Sequence, residues 1–444
     1  MKVNEGSVCM NTLKFDLSAK GRPFKRLNAT NGGPWYKRHA NDQFRSNYES
    51  YKAARIPFTR NHDSAICYEY GAPYCHDISA IFSDFDADVN DPASYDFGCT
   101  DEDILRALEV GTKTFFRLGQ SIEHQIVKHH IFPPKDYMKW AQICEHIIRH
   151  YNEGWANGYE LGIEYWEIWN EPDLDIYQDY KRTWTDTKEE FFEFYASVAT
   201  YLKNKFPSLK IGGPASCGRE EFIEEFIVDM KRRNVELDFV SWHIYCKTPE
   251  DLTGRTAKVR KWLDENGYFK TENHCNEWNY VRGWTEDFVY SIKSIIGAKG
   301  AAFTMATICA SQNSDIDMLM YYDTRPSCFN GVFDYYTYEP LKGYYPFYWY
   351  GMFYDMEKEI PAENQIDNVY SLCGVDKDGK ILATVTYYAE DDESENKEVT
   401  LDFGREGNFE IYLVDENHSG ELIATTKNLT FNMKCHSILL IKEI

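Results

Sequence analysis

The stretch Tyr165-Trp-Glu-Ile-Trp-Asn-Glu-Pro-Asp173 is an aromatic-rich strand that runs without a break into an amide, a carboxylate and a proline. Proline has no N–H to give to a sheet ladder, so the strand stops there. Strict pleat alternation sends Asn170 and Glu171 to opposite faces; both can serve one site only if the chain is already splaying into a loop. On either side, short apolar strands alternate with helical patterns, the rhythm of βα units around a parallel sheet. Eight strands are expected, at 24–31, 56–62, 114–120, 163–169, 209–213, 239–245, 269–277 and 318–322. Helices are expected at 137–151, 188–205, 220–233, 256–266 and 287–298, the second with Phe191, Phe194, Val198 and Leu202 spaced by three or four. Eight such units close a (β/α)8 barrel, whose strand ends converge on one mouth.

At 444 residues the chain suits one large barrel with a small appendage. From residue 356 the pattern turns to period two, in VYSLCGV, KILATVTYY, EVTLDF, FEIYLVD and HSILLIKEI, which reads as an antiparallel β-sandwich. The acidic run AEDDESENKE reads as a solvated hairpin tip, and LKFDL near the start as a further strand of the sandwich. The expected division is a barrel at 20–355 and a sandwich made of 1–19 and 356–444. Long connections at 63–100 and 321–348 are expected to wall a pocket closed at one end, hence exo action.

A net charge of −23 repels phosphate backbones and anionic membranes, which excludes nucleic acid and membrane surfaces as partners and leaves neutral solutes. Aromatics at 16% can fill a core or offer platforms to sugar rings. Twelve cysteines without a CxxC pair read as free thiols in a reducing compartment. No apolar h-region or 18-residue apolar run is visible, so a cytoplasmic location is expected.

Two strand ends carry carboxylates: the fourth at Asn170-Glu171-Pro172 and the seventh at Cys275-Asn-Glu-Trp-Asn279. Facing each other across a barrel mouth, Glu171 and Glu277 are the equipment for glycoside hydrolysis, one protonating the leaving oxygen and one attacking the sugar carbon. Glu272, five residues earlier and of opposite parity, is the rival to Glu277. No HExxH, EF-hand loop, GxGxxG after a strand or GxSxG occurs, and the chemistry calls for no cofactor and no metal.

At WEIWNEPD, FTRNHD, VSWHIY and NEWN the chain resembles glycoside hydrolase clan A and within it family 39, which includes β-xylosidases and α-L-iduronidase; the likeness runs along most of residues 20–350. That resemblance implies a TIM barrel with a β-sandwich and a retaining mechanism, with Glu171 as acid/base and Glu277 as nucleophile. It implies that Arg60 keeps the nucleophile ionised, His62 meets a sugar hydroxyl, Tyr245 hydrogen-bonds the nucleophile and His243 lies near the acid/base. Asn170 would donate to the sugar 2-hydroxyl, and Trp278, beside the nucleophile, is a further candidate substrate contact. Two places depart from the pattern. Strand three ends RLGQSIEH, where Glu123 and His124 reach the sugar or cap the loop, and strand eight ends MYYDTRPS without a tryptophan, so that Tyr322 is the candidate floor of the sugar site. The expectation is a retaining exo-acting glycosidase for a terminal β-xyloside-like sugar or related pentoside or hexoside, with a small oligosaccharide or glycoside as substrate. The alternatives are a non-catalytic carbohydrate-binding barrel, or a transglycosylase using the same residues.

Overall fold

In a computed structural model that describes residues 11–38, 44–62, 74–325 and 327–444, the βα rhythm closes into a parallel barrel. Its strands are β1 (Arg26–Asn31), β2 (Phe58–Arg60), β3 (Lys113–Leu118), β4 (Tyr165–Ile168), β5 (Lys210–Ser216), β6 (Phe239–Cys246), β7 (Glu272–Tyr280) and β8 (Met318–Tyr321), paired in order with β8 returning to β1. Helices cover the outside, so the strands are buried on both faces and read as near-continuous apolar runs. Inside, the barrel is layered. The bottom is plugged by Ala29, Phe58, Phe115, Tyr165, Phe239, Met318 and Met320, with Phe115 stacked on Tyr165 at 5.3 Å. Above this plug the interior turns polar, with Asn31, Arg60, Glu167, Ser241 and Asn276 all buried. The packed bottom leaves the upper, C-terminal end as the place for a site.

Helix ends follow local chemistry. The helix expected to begin at 256 begins at Pro249: Thr248 and Asp251 form a reciprocal capping box and proline occupies the first turn. A helix absent from the sequence reading, Ala298–Gln312, lies between the barrel and the appended sheets. Nearly all of it is buried, so it has no polar face and no amphipathic period to betray it. No single helix among the described residues is long and apolar enough to cross a membrane.

The appended part is a six-stranded antiparallel sheet, β9 (Lys358–Glu359), β10 (Val369–Val375), β11 (Ile381–Tyr387), β13 (Phe409–Val414), β14 (Ser419–Thr426) and β16 (Ser437–Glu443), in the order β9-β10-β11-β16-β13-β14. A three-stranded sheet faces it, with β12 (Lys397–Asp402) flanked by β15 (Thr430–Met433) and by the N-terminal strand Thr12–Lys14. Alternate residues split cleanly: Cys373, Ala383, Leu439 and Ile441 enter the core between the sheets, whereas Leu372, Leu382 and Leu440 join the barrel's core.

The acidic run is not a hairpin tip. It crosses from one sheet to the other and latches onto the barrel, with Glu390 on Arg282 at 2.6 Å and Asp392 on Lys299 at 2.9 Å. Of the long segment expected to cover the mouth, residues 63–73 lie outside the described residues. Its remainder docks through Asp77, which accepts from Arg117 at 2.7 Å and from the Ser121 backbone at 3.0 Å.

Candidate active site

The splaying demanded at the end of β4 is achieved by left-handed backbone. Trp169 and Glu171 have φ of 75° and 46°, conformations costing about 1–3 kcal/mol each for such residues. Hydrogen bonds hold them there: Trp169 N–H to Leu118 O at 2.6 Å, Glu171 N–H to Ala215 O at 2.8 Å and Thr183 Oγ to Glu171 O at 2.6 Å. Asn170 and Glu171 consequently both face the barrel mouth. On β7 the device is a β-bulge between Cys275 and Glu277, seen against both neighbouring strands. It adds one residue, so that Asn276 and Glu277 both point inward. Trp278 is thereby turned outward and packs against Tyr321 and Phe303 in the core, which corrects the expectation that it touches substrate. Glu272 sits at the bottom with Tyr165, Lys210 and His274. Burial raises its pKa, but its bond to His274 and the Lys210 charge prevail and hold it at about 2.

Arg60, 0% exposed, ties the two strand ends together from below. Its Nε donates to Glu167 at 2.7 Å, Nη2 to Asn170 Oδ1 at 2.8 Å and Nη1 to Glu277 at 3.4 Å. With its oxygen taken, the Asn170 amide keeps an NH2 that has no partner among the described residues. His243 Nδ1 lies 2.8 Å from Glu171 and 3.5 Å from Glu277, and the Tyr245 hydroxyl donates to Glu277 at 2.5 Å. One oxygen of each glutamate and a ring nitrogen of His243 lie within 4.8 Å of one another. That spacing would also suit ligands of a cation, but the contact that His243 Nδ1 makes with Glu171 occupies the trio internally.

These groups open onto a cavity of about 550 Å³ lined by His62, His124, Tyr322, Trp284 and Phe329 among others. Arg60 and Asn170 are buried and are not among the residues that line it. Glu123 does not reach it: its carboxylate accepts from the backbone N–H of His129 and His130 at 2.9 and 2.7 Å, so of the two readings it is the loop cap. Several residues escaped sequence reasoning. Glu167, an acid inside an aromatic strand, accepts from Arg60, from Ser241 at 2.6 Å and from Asn276. Asp173 accepts from Ser216 Oγ at 2.7 Å and Cys217 N–H at 2.8 Å beneath the Glu171 loop. Trp284 stands 57% exposed at the mouth. The signal for Glu167 was in view, since a charge in such a strand needs a partner; nothing local marks Trp284.

Burial, reinforced by the Asp173 charge, pushes Glu171 up to about 8. Burial also raises Glu277, so the expected depression by Arg60 is a pull rather than the net outcome; His243, Arg60 and the Tyr245 hydroxyl work against burial, and the Glu171 charge works with it. Burial lowers His243 and favours its neutral ring.

Residues 54–269 match the model of glycosyl hydrolases family 39. A β-xylosidase of Geobacillus stearothermophilus is 30% identical over 172 residues, 34% of this chain and 33% of that protein. One of Caldicellulosiruptor saccharolyticus is 31% identical over 178 residues, 37% of this chain and 33% of that protein. The chain thus spans about a third of the length of these curated relatives. Over its whole length the fold is similar to a glucosidase from Croceicoccus marinus, with a TM-score of 0.76 at 22% identity, covering 98% of each chain. Glu171 and His243 fall inside the stretch that matches the model of glycosyl hydrolases family 39, and Glu277 lies just beyond it.

Proposed function

We propose that this protein is a retaining, exo-acting glycoside hydrolase with Glu171 as acid/base and Glu277 as nucleophile. The observation that carries this is that one oxygen of each carboxylate comes within 4.8 Å of the other, which favours direct attack, at carboxyl separations of about 5–5.5 Å, over an intervening water, which needs about 6.5–9.5 Å. Glu277 attacks the anomeric carbon while Glu171 gives its proton to the departing oxygen; Glu171 then takes a proton from the water that releases the sugar. Two buried carboxyls this close hold one proton between them at neutral pH. Once Glu171 carries it, the like-charge push on Glu277 is gone, and Arg60 and the Tyr245 hydroxyl favour the ionised nucleophile. The free NH2 of Asn170 is placed to meet a sugar hydroxyl, with His62 and Tyr322 on the wall.

The β-xylosidase relatives support a pentoside as the sugar. The ten described cysteines are unpaired, which supports the reducing, cytoplasmic compartment. A panel of nitrophenyl pentosides, hexosides and uronides tests the proposal. Turnover that disappears in Glu277→Gly and returns with azide supports it; sugar binding without turnover on any panel member would indicate a binding protein instead.

A further inference from the structure

Hydrolysis as proposed above fixes where the leaving group lies: beside the acid, Glu171, because that residue delivers the proton to the departing oxygen. The cavity wall on this side is cationic. Arg182, Arg219 and Arg255 line it, and among the described residues no acid other than Glu171 and Glu277 does. Arg182 is neutralised by a two-point pair with Asp175 at 2.7 and 2.8 Å. Arg255 is held by Glu220 at 3.1 Å and by the Gly218 carbonyl.

Arg219 differs. Its Nε donates to the Asp173 carbonyl at 2.7 Å and its Nη2 to the Leu174 carbonyl at 3.1 Å, which pins it to the loop that follows Glu171. Among the described residues it makes no salt bridge to a carboxylate, and its Nη1 makes no hydrogen bond. The guanidinium lies 5.6 Å from the centre of the Tyr177 ring, which is 64% exposed. A fixed, unneutralised arginine beside an open aromatic ring, in a chain of net charge −23, offers a charge contact and a stacking surface next to the acid.

We propose that this wall is a subsite for a leaving group carrying a carboxylate, with Arg219 as the residue that reads the charge. The arginine's tether to two backbone carbonyls holds it in place but leaves one nitrogen without a partner, and the charge without a carboxylate, among the described residues; a planar guanidinium suits a carboxylate. The site presupposes the hydrolase reading, and the test separates the two. Using the full chain and the sugar selected by the panel, kcat/KM is measured for the 4-nitrophenyl, 3-carboxy-4-nitrophenyl and 3-carbamoyl-4-nitrophenyl glycosides. The carboxylate is expected to be preferred over its neutral amide isostere by about fivefold at low salt, a preference that shrinks at high salt. It should fall to near unity in Arg219→Gln and survive in part in Arg219→Lys. Because both substrates meet the same loop, a merely structural loss in the variant lowers both rates and leaves their ratio unchanged. Equal rates for carboxylate and amide in the wild type, or a preference that persists in Arg219→Gln, overturn the subsite while leaving the hydrolase reading intact; no turnover on any panel sugar overturns both.

Discussion

Glu171 is raised to about 8 by burial, so below that pH it carries the proton that the proposed mechanism gives to the leaving group. The expected kcat/KM profile therefore falls on its alkaline side near pH 8, and Glu171→Gln should lose about 10²–10⁴-fold in rate on glycosides with poor leaving groups. Stability carries the same sign. A carboxyl whose folded pKa exceeds the unfolded value gives stability that is full below the unfolded pKa and is lost as pH rises through the folded one. Melting temperature should decline between pH 4.5 and about 8, and Glu171→Gln, measured by thermal denaturation, should lessen that decline. Arg60 is different in kind: removing it leaves Glu167 and part of Glu277's environment buried without a counter-charge, so Arg60→Met should cost about 3–5 kcal/mol in denaturant unfolding. The sequence showed Glu171 and Glu277 because strand ends with acids are conspicuous. It hid Glu167, whose partner is 107 residues away in the chain.

At the scale of elements, the strand-to-helix rhythm was legible because period and length are local properties; the exceptions have physical causes. The bulge in β7 was hidden because no residue type announces one, yet a single extra residue reverses the parity of everything after it, turning Glu277 inward and Trp278 outward. The helix at Ala298–Gln312 was invisible because tertiary burial on all sides had removed its polar face. The helix at Pro249 could have been found, since Thr248-Pro-Glu-Asp251 spells a start signal. Thr248→Ala should lower stability by about 1 kcal/mol, read by chemical denaturation, since the threonine hydroxyl accepts from the Asp251 N–H and donates to its carboxylate, while the bond from the Thr248 backbone N–H to Asp251 survives.

For the whole molecule, barrel and sandwich share one buried cluster, in which Leu372, Leu382, Tyr388 and Leu440 from the appended sheet meet Phe303 and Tyr350 from the barrel side. A chain ended after residue 355 should be insoluble or show loss of native near-ultraviolet circular dichroism, because the buried helix at Ala298–Gln312 would be bared to water. The alternation that splits the central strands of that sheet between two cores has a consequence for recognition. Appended β-domains that grip polysaccharides on a flat surface need an open sheet face, and β11 presents none, every residue in it being buried. With one side in the barrel's core and the other between the sheets, this central strand has no face left for a ligand and serves the barrel as a keystone.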